Sequence, residues 1–254
     1  MLDGIDLGLD GKVALVTGGS SGIGKSAATL LTAAGCRVAV GYSRDQAKAE
    51  KAVAEIGGET FAIKADVADA SACQAMVKQT VETFGRLDVL VHSAGISKLD
   101  DGDPVAFDRV VKVHLHSTHY LLPAALEPMR RQGGGSIVVL TSIAGNKGGA
   151  SSYAAAMAGK RAYTLGFARQ VAGENVRVNC CSPGTVFTEM FDKFIPGDAA
   201  KRQRTERDIP LWKRRSGYPK ADDAGKVILF LASDLAGHVT GEEVRVNGGQ
   251  FVVV

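Results

Sequence analysis

The chain has 254 residues, 45% hydrophobic and 22% charged, with a formal net charge of +3. A near-average apolar content with almost balanced charge excludes a disordered chain, and this length buries a substantial core without disulfide or metal staples. No apolar run reaches the roughly 18–20 residues of a membrane helix.

Apolar, β-branched runs alternate with helix-length amphipathic stretches throughout. Strands are predicted at Val13–Thr17, Arg37–Tyr42, Thr60–Lys64, 87–92, 136–140, 176–181 and Glu243–Val246. Most are apolar on both faces, as parallel strands covered by helices are. Helices are predicted between them, at 22–34, 45–56, 70–84 and 154–172. The alternation predicts one α/β domain over 1–254, a doubly wound parallel sheet of about seven strands with helices on both faces. An irregular stretch near 183–221 is too long for a simple connection and reads as a substrate lid. Within it, residues 201–220 hold eight Lys or Arg against two acids, so the positive charge is local. That segment is read first as solvated lid surface, with steering of an anionic substrate or carrier domain as the functional alternative. Nucleic acid and membrane are not expected partners. The first dozen residues hold three Asp and no apolar segment of a secretory signal. Cys36, Cys73, Cys180 and Cys181 have neither zinc spacing nor disulfide density, which fits a reduced cytoplasmic compartment.

Directly after the first strand comes Thr17-Gly18-Gly19-Ser20-Ser21-Gly22-Ile23-Gly24-Lys25-Ser26. Glycines let such a turn approach a phosphate, and the following helix offers free N–H groups and a positive dipole end to the anion. Gly19-x4-Gly24-Lys25-Ser26 satisfies the P-loop pattern, with Lys25 on phosphate and Ser26 on magnesium. Against it, no later strand ends in an Asp suited to hold magnesium. The other reading is a dinucleotide site.

Taken together, the residues resemble the short-chain dehydrogenase/reductase family from about Asp10 to Phe251. The resemblance rests on the TGxxxGxG turn (Thr17 to Gly24), Asp66-Val67, His92-Ser93-Ala94-Gly95, Ser142, and Tyr153 eleven residues later. It continues in Arg177-Val178-Asn179, Ser182-Pro183-Gly184, Thr240-Gly241 and Asn247-Gly248-Gly249. The family implies strand order 3-2-1-4-5-6-7, a nicotinamide dinucleotide at the C-terminal edge of the sheet, hydride transfer to a small molecule, and a homodimer or homotetramer. It implies cofactor contacts from Gly18, Ser20, Ser21, Gly22, Ile23 and Gly24 in the turn and from Asp66 and Val67 near the adenine. Ser93, Ala94, Gly95, Tyr153, Pro183, Gly184 and Val186 complete the implied cofactor contacts. Tyr42 stands where an NAD-type member carries its Asp, and Ser20, Ser43 and Arg44 can meet a 2′-phosphate. NADP(H) is therefore expected, with NAD(H) the alternative.

The family's catalytic set is Asn, Ser, Tyr and Lys. Ser142 and Tyr153 are present, His114 replaces the Asn, and Met157 stands at the Lys position. A thioether neither holds ribose hydroxyls nor favours a tyrosinate, so Tyr153 is expected near its ordinary value of about 10. Lys160, seven residues after Tyr153 on the same helical face, is the candidate replacement, against a plain reading as a helix-surface lysine. His114, His116 and His119 are not read as a metal site. The Ser142–Tyr153 loop is about two residues shorter than in the family. The leading expectation is an NADPH-dependent reductase of an imine or iminium, which needs hydride but no proton at transfer. The alternatives are a ketone or aldehyde reductase using Tyr153 with His114 or Lys160, and a cofactor-binding scaffold or non-redox isomerase or cyclase.

Overall fold

The computed structural model describes residues 6–96, 102–192 and 219–252, with Gly197, Ala200 and Gln203. Seven parallel strands form one sheet: β1 (Val13–Thr17), β2 (Arg37–Tyr42), β3 (Thr60–Lys64), β4 (Val89–His92), β5 (Gly135–Leu140), β6 (Val176–Pro183) and β7 (Glu243–Val246). Their order is β3-β2-β1-β4-β5-β6-β7, as the resemblance implies. The helices are α1 (Gly22–Ala33), α2 (Gln46–Ile56), α3 (Ala70–Phe84), α4 (Pro104–Val111), α5 (Ser117–Arg131), α6 (Ala144–Lys147), α7 (Ser152–Val171), α8 (Glu189–Asp192) and α9 (Ala221–Ala232).

Alternation along each strand feeds two cores. In β1, Ala14 and Val16 face one side with Leu31 of α1 and Ile228 and Leu231 of α9. Leu15 faces the other with Leu121 and Leu122 of α5 and Phe167 of α7. Burial on both faces is why these strands read as continuous apolar runs. Asp45 and Asp69 cap α2 and α3, accepting the backbone N–H of Lys48 and of Ala72 at 2.9 Å each. Gly85 then stops α3 in the left-handed conformation at φ +83°.

Three strand boundaries differ from the sequence reading, β5 starting one residue early at Gly135. β4 begins at Val89 instead of Leu87, because the Leu87 N–H is taken by the Gln132 side chain. β6 continues to Pro183, where β7 still pairs with it. Between α4 and α5 the helix widens into a π turn over Lys112–His116, a feature no residue pattern announced. The expected lid at 183–221 falls largely outside the described residues, as do most of its cations.

Candidate active site

The C-terminal ends of β1, β4, β5 and β6 open onto a cleft of about 600 Å³. One end is the glycine turn. Gly18 has φ +66°, and a Cβ there would stand 2.8 Å from Ala94 Cα. A Cβ on Gly24 would stand 2.4 Å from the Gly18 carbonyl oxygen, so this turn closes only without side chains. Ser21 caps α1 without a side-chain hydrogen bond, and the first turn has no acidic residue. The N–H groups of α1 are thus left for an anion, and the turn fits a dinucleotide pyrophosphate. The P-loop assignment fails here. Lys25 is paired with Glu55, and Ser26 Oγ donates to Asp222 at 2.7 Å, so neither serves phosphate or magnesium.

The structure brings Gly18, Ser21, Gly22, Ile23 and Gly24 together with Ser93, Ala94 and Gly95 along this cleft. Pro183, Gly184 and Val186 form its far wall. Ser20, Tyr42, Ser43 and Arg44 lie outside it. Ser20 faces a neighbouring groove, and the other three end or follow β2. Arg44 is exposed and forms no ion pair among the described residues, while Asp45 is occupied as the α2 cap. Asp66 is held by Arg109 at 2.9 Å, and Val67 is buried in the core.

At the other end, Ser142 and Tyr153 are hydrogen-bonded through their hydroxyls. Burial raises the Tyr153 phenol above its ordinary value, and the Ser142 bond offsets only part of that rise. His114 packs edge-on against Tyr153, ring centroids 5.4 Å apart. Its Nε2 faces both the Ile96 carbonyl at 2.7 Å and the Ile96 N–H at 3.2 Å, and its buried Nδ1 has no hydrogen-bond partner among the described residues. Burial first, then the charge of Lys160, lowers His114 to about 3, so it is a neutral imidazole. A Cβ on Gly95 would stand 2.6 Å from the His114 ring, so the glycine makes room for the histidine.

Met157 is buried and lines the cleft beside Tyr153. Lys160 does neither what the surface reading nor what the replacement reading expects. It is 1% exposed, not on the helix surface, and it does not line the cleft. No carboxylate pairs with it among the described residues; burial lowers it to about 7. Its charge also presses His92 downward, but the shift at Tyr153 comes from burial and Ser142 alone. His92 is a buried, neutral stitch: Nδ1 accepts from Thr17 Oγ1 and Nε2 donates to Ser117 Oγ, both at 2.9 Å. His119 bonds Tyr163 instead of approaching His114.

Several lining residues carried no sequence signal. Gln250 reaches back from beyond β7 to Thr185, accepting its N–H at 2.9 Å. Lys147 enters from α6 with its ammonium 5.7 Å from the Phe251 ring. Glu189 of α8 pairs with Lys48 of α2 across the glycine turn.

The family model described as Enoyl-(Acyl carrier protein) reductase matches residues 18–250. The chain is 39% identical over 253 residues to an L-rhamnose 1-dehydrogenase (NAD(P)(+)) of Sphingomonas sp. (strain SKA58), covering 96% of this chain and 98% of that one. It is 38% identical over 249 residues to the 3-oxoacyl-[acyl-carrier-protein] reductase FabG of Staphylococcus aureus, covering 95% and 98%. The chain is a short-chain dehydrogenase/reductase. This oxidoreductase also superposes on family structures from Mycobacterium ulcerans (TM-score 0.87, 30% identity, covering 95% and 90%) and Sinorhizobium meliloti 1021 (TM-score 0.85, 32% identity, covering 96% of each chain). Among the described residues, no helix is long and apolar enough to cross a membrane.

Proposed function

We propose that this short-chain dehydrogenase/reductase is an NADPH-preferring reductase of a small carbonyl compound, with Ser142 and Tyr153 as the groups on the substrate oxygen. The hydrogen-bonded Ser142–Tyr153 pair at the end of the cleft carries this reading. A bound reduced nicotinamide supplies the hydride. Tyr153, kept protonated by burial, donates its proton to the oxygen as negative charge develops there, and Ser142 donates a second hydrogen bond. A neutral phenol is the right form for reduction and the wrong one for oxidation, which needs a base. Met157 thus biases the direction of reaction without removing the proton donor. His114, a neutral imidazole in the cleft wall whose Nδ1 has no partner among the described residues, offers a polar contact to the substrate.

The relatives are by name a sugar 1-dehydrogenase and a 3-oxoacyl reductase, which makes carbonyl–alcohol chemistry the precedent. An iminium needs no donor at transfer, so the retained pair gives the iminium expectation no support. The exposed Arg44 beyond β2, which forms no ion pair among the described residues, favours the 2′-phosphate of NADP(H) over the bare ribose of NAD(H).

The test is fluorescence titration with NADPH and NADH, followed by NADPH oxidation with an acetoacetyl thioester and NADP⁺ reduction with L-rhamnose. Tighter NADPH binding and thioester reduction are expected. No binding of either cofactor at millimolar concentration overturns the reading; binding without turnover on any carbonyl places the chain among the non-redox members.

A further inference from the structure

Glu243 opens β7 with a side chain only 3% exposed, and four residues converge on its carboxylate. Thr141 Oγ1 donates to Oε1 at 3.2 Å. Asn146 Nδ2 and Arg161 Nε donate to Oε2 at 2.8 and 2.9 Å. The Arg245 guanidinium adds a contact at 3.4 Å. Charge-assisted hydrogen bonds and two cations offset the desolvation of this buried side chain.

The placement of these partners is what matters. Thr141 immediately precedes Ser142, Asn146 lies in α6 just after it, and Arg161 is two turns along α7 from Tyr153. One carboxylate therefore ties both flanks of the serine segment to the helix that carries the tyrosine. The same segment presses bare backbone on α7: a Cβ on Gly145 would stand 2.7 Å from the Ala158 nitrogen. Gly145 thus lets α6 approach the α7 backbone closely.

We infer that Glu243 is a positioning residue for the Ser142–Tyr153 pair, acting through Thr141, Asn146 and Arg161 from outside the cleft. It does not line the cleft and touches neither hydroxyl. Its removal frees the serine segment from α7 and leaves Arg161 and Arg245 facing each other without a counter-ion. The inference rests on the reading of Ser142 and Tyr153 as the groups at the substrate oxygen.

The experiment compares wild type with Glu243→Ala, Glu243→Gln and Asn146→Ala in steady-state carbonyl reduction and in ¹³Cζ-tyrosine NMR. The Tyr153 signal is assigned by its absence in Tyr153→Phe. Glu243→Ala is expected to lower kcat by about ten-fold or more, because small misplacement of reacting groups is costly, while the cofactor KM stays within about two-fold. Its Tyr153 titration moves upward, since the Ser142 bond that lowers it is lost. Glu243→Gln keeps an acceptor for Asn146 and Arg161 and recovers most of kcat. Asn146→Ala, which removes one tie, keeps the measurement decisive where Glu243→Ala does not fold, and lowers kcat by several-fold. Folded variants with wild-type kcat and an unmoved Tyr153 titration overturn the inference. Should wild type reduce no carbonyl, the reductase reading fails, and the Tyr153 titration alone still decides the positioning role.

Discussion

The family resemblance implies a single lysine that combines a place beside the tyrosine with a positive charge, and in the proposed site Met157 and Lys160 divide the two. Met157 has the place, and Lys160 has the charge but is sealed beneath the cleft. Met157→Lys restores a cation beside Tyr153 and lowers its pKa, so the alcohol-oxidation rate of that variant rises at a pH at least about one unit lower than in wild type. Steady-state oxidation against pH checks this. Lys160 carries a stability prediction of definite sign. Its folded value of about 7 lies below the ordinary value of 10.5, so between these limits the unfolded chain binds more protons and stability rises with pH. Below about 7 the full cost of burying the charge is present. Lys160→Met accordingly stabilises the protein by about 2–4 kcal/mol at pH 6, and by less at pH 9. Urea denaturation at both pH values measures it; a less stable variant at pH 6 contradicts it. The sequence pointed to Lys160 through helical spacing but could not show burial, because a lone lysine on a helix face normally reaches water.

At the level of single elements, the glycine turn and the end of β2 were legible because their constraints are local. Gly24→Ala puts a Cβ 2.4 Å from the Gly18 carbonyl oxygen and is expected to weaken cofactor binding by more than about ten-fold, read by fluorescence titration. Arg44→Ala is expected to weaken NADPH binding by about ten-fold and leave NADH binding unchanged, because only the former offers a 2′-phosphate. Equal losses for the two cofactors would assign Arg44 no part in the choice. The π turn at Lys112–His116 and the Glu243 network were not legible. The first depends on which carbonyl each N–H selects, with Ser117 and Thr118 hydroxyls taking the Val113 and His114 carbonyls at 2.6 and 2.7 Å. The second joins residues some hundred positions apart on different elements.

For the molecule as a whole, the sheet order followed from the family motifs and the doubly wound pattern, since strands covered on both faces leave few other arrangements. The four cysteines all sit in that covered core as free thiols. Burial pushes Cys36, Cys73 and Cys180 up to about 12, and Cys181 higher still. The native protein is therefore expected to react slowly with a thiol reagent at neutral pH, and to release four equivalents on denaturation. A fast-reacting thiol in the native state would contradict this core. The local charge excess was legible as composition, but its eight cations fall almost entirely outside the described residues. The central claim is that a buried, protonated Tyr153 paired with Ser142 makes this fold a reductase despite Met157. The most direct test is the pH dependence of NADPH-driven carbonyl reduction in wild type and Tyr153→Phe. The account predicts a wild-type rate that is level through neutral pH and falls only in alkali, and a loss of about a hundred-fold or more in Tyr153→Phe. A Tyr153→Phe variant that keeps the wild-type rate would contradict it.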